Sequence, residues 1–574
     1  MTLSAAAHRR FQDESGAHST STLDAAPSDE PSAAEADCRE RGDDESAQFC
    51  DGSELCDDSE SPGLFCNHHV ATPTDVPPHV WRIHGRDYDL TSFVDEHPGG
   101  ALFILMGKGL DCTHFFEFYH CFSVPRKRLR QYDVTPDGRK PAVPECGSEF
   151  MCDVRAMVRE HFGASSCSHG RHKADRLQWT LMWLVGIAEV VAIWLWLATP
   201  SVGWGAAAAC LNWLLMCNLM HDASHAALSS RPWVNHVGQF LGSAPWACGQ
   251  AQWWLQHVIS HHPNINQVGL DLDVHHWPMA RWHHKVEWPW FGQREGQQKV
   301  PTRALIAGAW QMFMHVLAHF VATTIMVHVY TIFFVFIPFV APRAMRSDCM
   351  RALGVRGEWD DGRDTDVHHR RAGNYTGQFE RLAGNFARQG VLSYAPSLFV
   401  GNLVCWLLAI AAILAPIGLS VGRAWDVDPL AGAGYGVALA LVPLAISSLC
   451  FMLVTQVSHI QEGCQRNETL DEPDPFKRQA QTSLDYSPTS RLTGFLTGGL
   501  NLQSIHHLLP SVSCVHYPAM YPKFLAICEK HGCLPDRADG FAHALAKHWS
   551  YVYRLGKGDA VPWPEGWPGV RSAA

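Results

Sequence analysis

Eight histidines and one glutamine in the C-terminal two-thirds of the chain have the spacing of metal ligands. His221 and His225 bracket HDASH, and His257, His261 and His262 lie in QHVISHH. His459 follows an apolar run in QVSHIQEGC, and Gln503, His506 and His507 lie in LTGGLNLQSIHHLLP. On a helix, His221 with His225 and His257 with His261 stand at i, i+4 on one face. One tetrahedral zinc uses three or four donors. This many imidazoles without thiolates suits two first-row metals with open positions, and iron is the one that activates oxygen when electrons are supplied. A lone histidine is more often structural. His459 joins the set because, like His221, it sits just beyond an apolar run.

A second pair lies upstream. His97 precedes the sharp turn Pro98-Gly99-Gly100, and His120 ends DCTHFFEFYH, with Phe93, Leu102, Phe103, Ile104, Phe116 and Phe118 around them. Two imidazoles across an apolar slot suit bis-axial haem ligation, which leaves no open position on the iron and restricts it to passing electrons. The competing reading is a turn histidine plus a surface histidine. Asp89, Asp95, Glu96, Asp111 and Glu117 would form an acidic rim suited to steering a basic reductase.

These residues need elements to hold them. The chain has 574 residues, enough for at least two folded units. Residues 1–75 are rich in Ser, Ala, Asp and Glu and read as disordered. Cys38, Cys50, Cys56 and Cys66 with His68 and His69 lack regular metal spacing. The net charge of −11 comes largely from this segment, and no basic stripe or nucleic-acid motif appears. The 19 cysteines lack CxxC spacing and read as reduced, and no apolar secretory leader opens the chain.

Beyond a basic run at Arg171, His172, Lys173 and Arg176, two bilayer-length stretches, Trp179 to Ala198 and Val202 to Met220, form a hairpin. In the first, Leu, Ile and Val contribute about −4 kcal/mol against about +3 kcal/mol for Glu189, so insertion is favoured as a hairpin. Cations before it place its N-terminal side in the cytosol. Val234 to Gln250 reads as interfacial. Leu398 to Leu419 and Gly434 to Thr455 form a second hairpin. An even number of crossings must separate His262 from His459 if all clusters share one side. Ala304 to Ala341, which carries His315, His319 and His328, is therefore read as interfacial or re-entrant, with His315 and His319 in packing roles.

With the motifs in place, two resemblances appear. YDLTSFVDEHPGG and the spacing to His120 resemble the cytochrome b5 family over about Val76 to Val134. HDASH, HVISHH and GGLNLQSIHHLLP resemble the three histidine boxes of membrane fatty acyl desaturases. A Gln opening the third box, together with an N-terminal cytochrome b5 domain, is similar to the front-end subgroup, and HHPNINQVGLDLD is similar to segments of its Δ5 and Δ4 members. The resemblance covers Val76 to about Pro522. Two departures stand out: Gln503-Ser504-Ile505 replaces the common Gln-Ile-Glu, and Leu272 replaces the proline of GxDPD.

The resemblance implies a multidomain membrane protein. A disordered region (1–75) precedes a small α+β cytochrome b5-like domain (76–140) and a linker (141–175). An all-α desaturase domain (176–574) follows, with about four transmembrane helices and a cytosolic di-iron cap. It implies haem b on His97 and His120, and two non-haem irons on the nine residues above. Electrons from NADH arrive through a separate cytochrome b5 reductase, and O2 drives cis desaturation of a fatty acyl lipid or acyl-CoA at Δ5 or Δ4 in the endoplasmic reticulum membrane. Asp222, Asp271 and Asp273 would hold ligand imidazoles. The alternatives are a sphingoid-base Δ8 desaturase and a non-enzymatic haem electron-transfer membrane protein.

Overall fold

The computed structural model describes residues 76–77, 79–122, 125–136, 148–163, 170–247, 249–267, 271–275, 280–284, 301–336 and 396–558. The cysteines and histidines before residue 70, and most of the loop 277–300, lie outside them.

The alternating stretch after Val80 folds as strands β1 (Trp81–Ile83) and β2 (Arg86–Tyr88), paired antiparallel with Trp81 opposite Tyr88. The turn between them takes positive φ at both His84 (50°) and Gly85 (75°), the combination that matches strand twist in a two-residue hairpin. Helices α1 (Ala101–Leu105), α2 (Thr113–Tyr119) and α3 (Arg126–Leu129) close over this ribbon. Trp81, Leu90, Leu102 and Leu105 form their shared core.

Helix α4 (Glu149–Phe162) buries Phe150, Met151, Val154, Met157, Val158 and Phe162 at helical spacing. It also carries the ion pair that anchors the N-terminal domain. Arg155 bonds the Glu117 carboxylate and donates to the carbonyls of Glu117 and His120, each at 3.3 Å. Glu117 also meets His84 Nε2 at 2.7 Å. Burial raises the Glu117 carboxyl, but His84 and Arg155 outweigh it and hold it down to about 2. Asp111 and Glu117 are therefore interior groups, and only Asp89, Asp95 and Glu96 of the expected acidic rim remain at least partly exposed. Arg155→Ala will leave a buried carboxylate without its cation and destabilise this domain by about 3 kcal/mol, read as a lower melting temperature. Because the folded pKa lies below the ordinary 4.5, the ionised carboxylate's contribution is complete above that pH and fades as pH falls towards 2.

The apolar runs become long helices. α5 (Arg176–Ala198) starts at an Asp175 cap that accepts from Gln178 N at 2.7 Å. It exposes Trp183, Leu184, Ile187, Val190 and Trp194, a surface that only lipid covers favourably. α6 (Val202–Leu215) returns antiparallel and runs through a π-helical stretch, Met216–Met220, into His221. Buried Glu189 is matched across this hairpin by Asn212 Nδ2 at 2.8 Å. α7 (Pro232–Ser243) lays Gly238 and Gly242 against that π stretch and exposes Trp233, Val237 and Leu241, an interfacial pattern. α8 (Gln250–Trp253) passes directly into a second π-helical stretch, Trp254–His261.

α9 (Pro301–Thr324) is followed by π-helical Ile325–Phe336, then by the hairpin of α10 (Pro396–Arg423) and α11 (Pro429–Thr455). Among the described residues five helices are long and apolar enough to cross a bilayer, Leu305–His328 among them. Their contacts separate them. Arg423 Nη2 donates to the carbonyls of Leu197 and Ala198, and Tyr435 donates to that of Pro200, so the turns of the two hairpins share one face. α9 instead bonds His548 through His315 (2.9 Å) and Ser448 through Thr323, and the π stretch bonds Gln252 through Thr331 (2.8 Å). All three partners lie on the opposite half, near His459 and His257. Among the described residues this element makes no bond to the hairpin turns, yet over Leu305–His328 it has the length and hydropathy of a span and bonds Ser448 within α11, against the expectation of an interfacial or re-entrant element.

The cap holds α12 (Pro475–Gln481), α13 (Arg491–Thr497), α14 (Gln503–Leu508), α15 (Tyr517–Lys530) and α16 (Phe541–Lys557). It also contains a short parallel pair, β3 (Leu484–Tyr486) and β4 (Asp536–Ala538).

Candidate metal centre and haem slot

All nine C-terminal candidates meet at the ends of α6 and α11. His221, His225, His257, His262 and His506 present ring nitrogens within 4.8 Å of one another, and His261, His459 and His507 do the same beside them. His257 Nε2 lies 3.1 Å from those of His221 and His225 and 3.2 Å from that of His262. His506 Nε2 is 3.2 Å from His262 Nε2, and His459 and His507 are likewise 3.2 Å apart. One ring N–H cannot satisfy three neighbours at once. Adjacent donors about 2.0–2.1 Å from a common metal lie about 3 Å apart, so the spacing is that of lone pairs converging on cations. Burial first, and neighbouring imidazoles second, hold His257, His262, His506 and His507 well below the ordinary histidine range, in the neutral form a metal requires.

The π-helical stretches alter the expected pairing. With i, i+5 periodicity, His257 faces His262 closely while His261 joins His459 and His507. His257 also groups with His261 and Asp273, so it stands between the two sets. Gln503 Nε2 lies 2.9 Å from His459 Nε2 and 3.0 Å from His507 Nε2, while its Oε1 has no partner. Turning the amide over would place its oxygen among these nitrogens.

Several second ring nitrogens are held from outside, while Nδ1 of His262 and of His507 has no partner. Asp271 Oδ1 is 3.1 Å from His261 Nδ1 and Asp273 Oδ2 is 3.4 Å away. Burial lowers the His261 pKa, but these carboxylates outweigh it and push it up to about 9. His459 Nδ1 faces the Thr482 carbonyl and His506 Nδ1 faces the Tyr517 hydroxyl, both at 3.3 Å. Asp222 departs from expectation. It accepts from Ser513 Oγ at 2.6 Å, and His221 Nδ1 has no partner. Asp485, which the sequence did not single out, anchors α14 by accepting from Ser504 N at 3.0 Å and the Tyr521 hydroxyl at 2.8 Å. Gly498, at φ 61°, lets this loop approach the Cys217 carbonyl more closely than a Cβ would allow. A cavity of about 30 Å3 opens onto the donors between Trp253, Phe451, Thr455 and Leu500.

His97 and His120 face each other with ring centroids 6.4 Å apart across a cavity of about 440 Å3. Two imidazole–iron bonds of about 2 Å each fit that separation. His97 Nδ1 is 3.1 Å from the Gly100 carbonyl and His120 Nδ1 is 2.7 Å from that of Phe116, which leaves Nε2 of each ring free for axial ligation. Burial lowers both pKa values, His120 to about 4. Phe93, Phe103, Ile104 and Phe116 line the slot. Leu102 instead packs in the domain core, and Phe118 packs on Phe476 at 5.4 Å. His114 also turns to Phe476, away from the slot. Ala226, Pro232, Asn235 and Ser511 supply the remaining wall, so the helical domain closes the slot.

Residues 73–135 match the family model described as cytochrome b5-like heme/steroid binding domain, and residues 359–536 match that described as fatty acid desaturase. The chain is 28% identical over 522 residues to an acyl-lipid omega-13 desaturase of Chlamydomonas reinhardtii, covering 84% of this chain and 94% of that one. It is 24% identical over 504 residues to acyl-lipid (8-3)-desaturase B of Dictyostelium discoideum, covering 83% and 90%. A similar match, 24% over 502 residues with 83% and 90% covered, is to Delta(5) fatty acid desaturase A of the same organism. No solved structure matches the chain. The chain thus joins a cytochrome b5-like domain to a fatty acid desaturase domain, and along most of its length it is similar to acyl-lipid desaturases.

Proposed function

We propose that the protein is an acyl-lipid desaturase that inserts a cis double bond into a polyunsaturated chain at the front end, Δ5 or Δ4. What supports this reading most is the convergence of eight imidazoles and one amide at the ends of two bilayer-length hairpins, with a bis-histidine slot packed against them. His221, His225, His257, His262 and His506 hold one iron. His261, His459 and His507 with Gln503 hold the other, and His257 stands between them. Bound there, two irons supply oxygen activation, while haem b between His97 and His120 supplies one-electron transfer. Trp253, Phe451, Thr455 and Leu500 give the apolar wall along which the acyl methylenes lie. Asp271 fixes the tautomer of His261, so Asp271→Asn will weaken metal binding about 10- to 100-fold, measured by chelator competition.

The domain limits follow the same reading, with 76–140 binding haem, 141–175 linking and 176–574 carrying out desaturation. An NADH-dependent cytochrome b5 reductase recharges the haem. The substrate is a fatty acyl lipid or acyl-CoA in the endoplasmic reticulum membrane, with both centres on the cytosolic side. Names among the relatives include (8-3), Delta(5) and omega-13 desaturases. On an acyl chain of eighteen carbons, omega-13 and Δ5 name the same bond. Expression in yeast fed defined polyenoic acids of differing length, with mass spectrometry of the lipids, tests the proposal. A new Δ5 or Δ4 bond supports it. A new bond confined to sphingoid bases would transfer the activity to that class, and no new bond together with no iron beyond haem refutes desaturation.

A further inference from the structure

Tyr119 belongs to both centres. It immediately precedes His120, lines the haem slot, and places its hydroxyl 2.9 Å from His225 Nδ1. The Tyr119 and His225 rings are stacked at 27° with centroids 6.4 Å apart. Phe103 packs on Tyr119 at 5.3 Å and on Trp254 at 5.7 Å, and Trp254 opens the π-helical stretch that carries His257. His225 Nε2 points into the nitrogen cluster, 3.1 Å from His257 Nε2. Its Nδ1 is therefore the protonated nitrogen when Nε2 binds a metal, and that N–H donates to the Tyr119 oxygen.

We propose that Tyr119 is the coupling residue between the haem slot and the metal cluster, the side chain through which electrons leave one centre for the other. This inference rests on the desaturase reading. Each transfer oxidises ferrous haem to ferric and adds one electron to the metal pair. Two such electrons, two protons from water and the two hydrogens taken from adjacent methylenes reduce one O2 to two waters. A nicotinamide-linked flavoprotein reductase restores the ferrous haem.

The test uses the full-length protein with both centres loaded. Tyr119→Phe keeps the ring that packs on Phe103 and removes only the hydroxyl. Haem absorbance and iron content will equal those of the wild type. Haem reoxidation after mixing reduced protein with O2 and acyl substrate, followed by stopped-flow absorbance, will slow at least about tenfold, the effect of about 1.4 kcal/mol on a barrier. A small redox mediator that bypasses the haem will restore double-bond formation in the variant. Reoxidation within about twofold of the wild type, with both centres loaded, overturns the coupling role. So does a slowed variant that the mediator fails to rescue, since the hydroxyl would then serve the metal site itself. A wild-type protein lacking iron beyond haem, or lacking substrate-dependent reoxidation, removes the desaturase reading and this inference with it.

Discussion

His257→Ala will abolish double-bond formation while leaving the haem spectrum intact. Its Nε2 is within 3.2 Å of three other ring nitrogens, and with Asp273 it groups with His261 of the neighbouring donor set. Removing it strips one donor from the larger set and opens the boundary between the sets. Losing an outer partner of a metal ligand typically costs 10- to 100-fold, so loss of this ligand will lower activity by at least about 100-fold. The haem slot is lined by residues between Trp81 and Tyr132, by His172 and Lys173, and by a wall from Ala226 to Asn235 with Ser511, whereas the His257 ring packs on His221, His225, Trp253, His261, His262 and His506. Lipid mass spectrometry, iron analysis and haem absorbance on one membrane preparation check all three points. Normal iron content with normal product would refute the ligand assignment.

His97→Ala will have the opposite signature, with haem lost and the metal cluster still loaded. His97 is the better choice of the two axial histidines because His120 adjoins Tyr119, which bonds His225 of the metal cluster. With no haem, NADH-driven desaturation will fall at least about 100-fold, since one axial imidazole cannot maintain the six-coordinate electron carrier. Iron bound by the histidines of α6, the π stretch and α14 will be unchanged, because those side chains pack on one another rather than on His97. Desaturation retained without haem would show that electrons enter by another route.

Much of this architecture was legible in the chain itself. The hairpin of Trp179 to Ala198 with Val202 to Met220 and the aromatic-flanked pair His97 and His120 are local patterns, and the structure folds the first as two antiparallel helices and brings the second face to face. Counting crossings set Ala304 to Ala341 apart as interfacial or re-entrant, whereas Leu305–His328 has the length and hydropathy of a span and bonds Ser448 within α11. The acidic rim was misread at Asp111 and Glu117. Charge in a sequence carries no depth, and Glu117 is buried against the His84 ring and the Arg155 guanidinium, the latter 38 positions away. Asp222 misled in the same way. Adjacent to His221 in sequence, it points to Ser513 because the helix turns its side chain away from the cluster.

The sequence by itself determined which side chains offer ring nitrogens to the cluster and which helices carry them, because residue type and hydrophobic length are properties of short stretches. The tertiary structure decided how the donors divide. Expected i, i+4 pairing placed His257 with His261, but a π-helical stretch brings His257 against His262 and releases His261 toward His459 and His507. A one-residue change in helical period rotates a side chain by far more than a ligand geometry tolerates, and no local pattern announces it. The fold alone also decided the meeting of Tyr119 with His225, 106 positions apart. That contact depends on how one domain closes over another, which residue spacing does not encode.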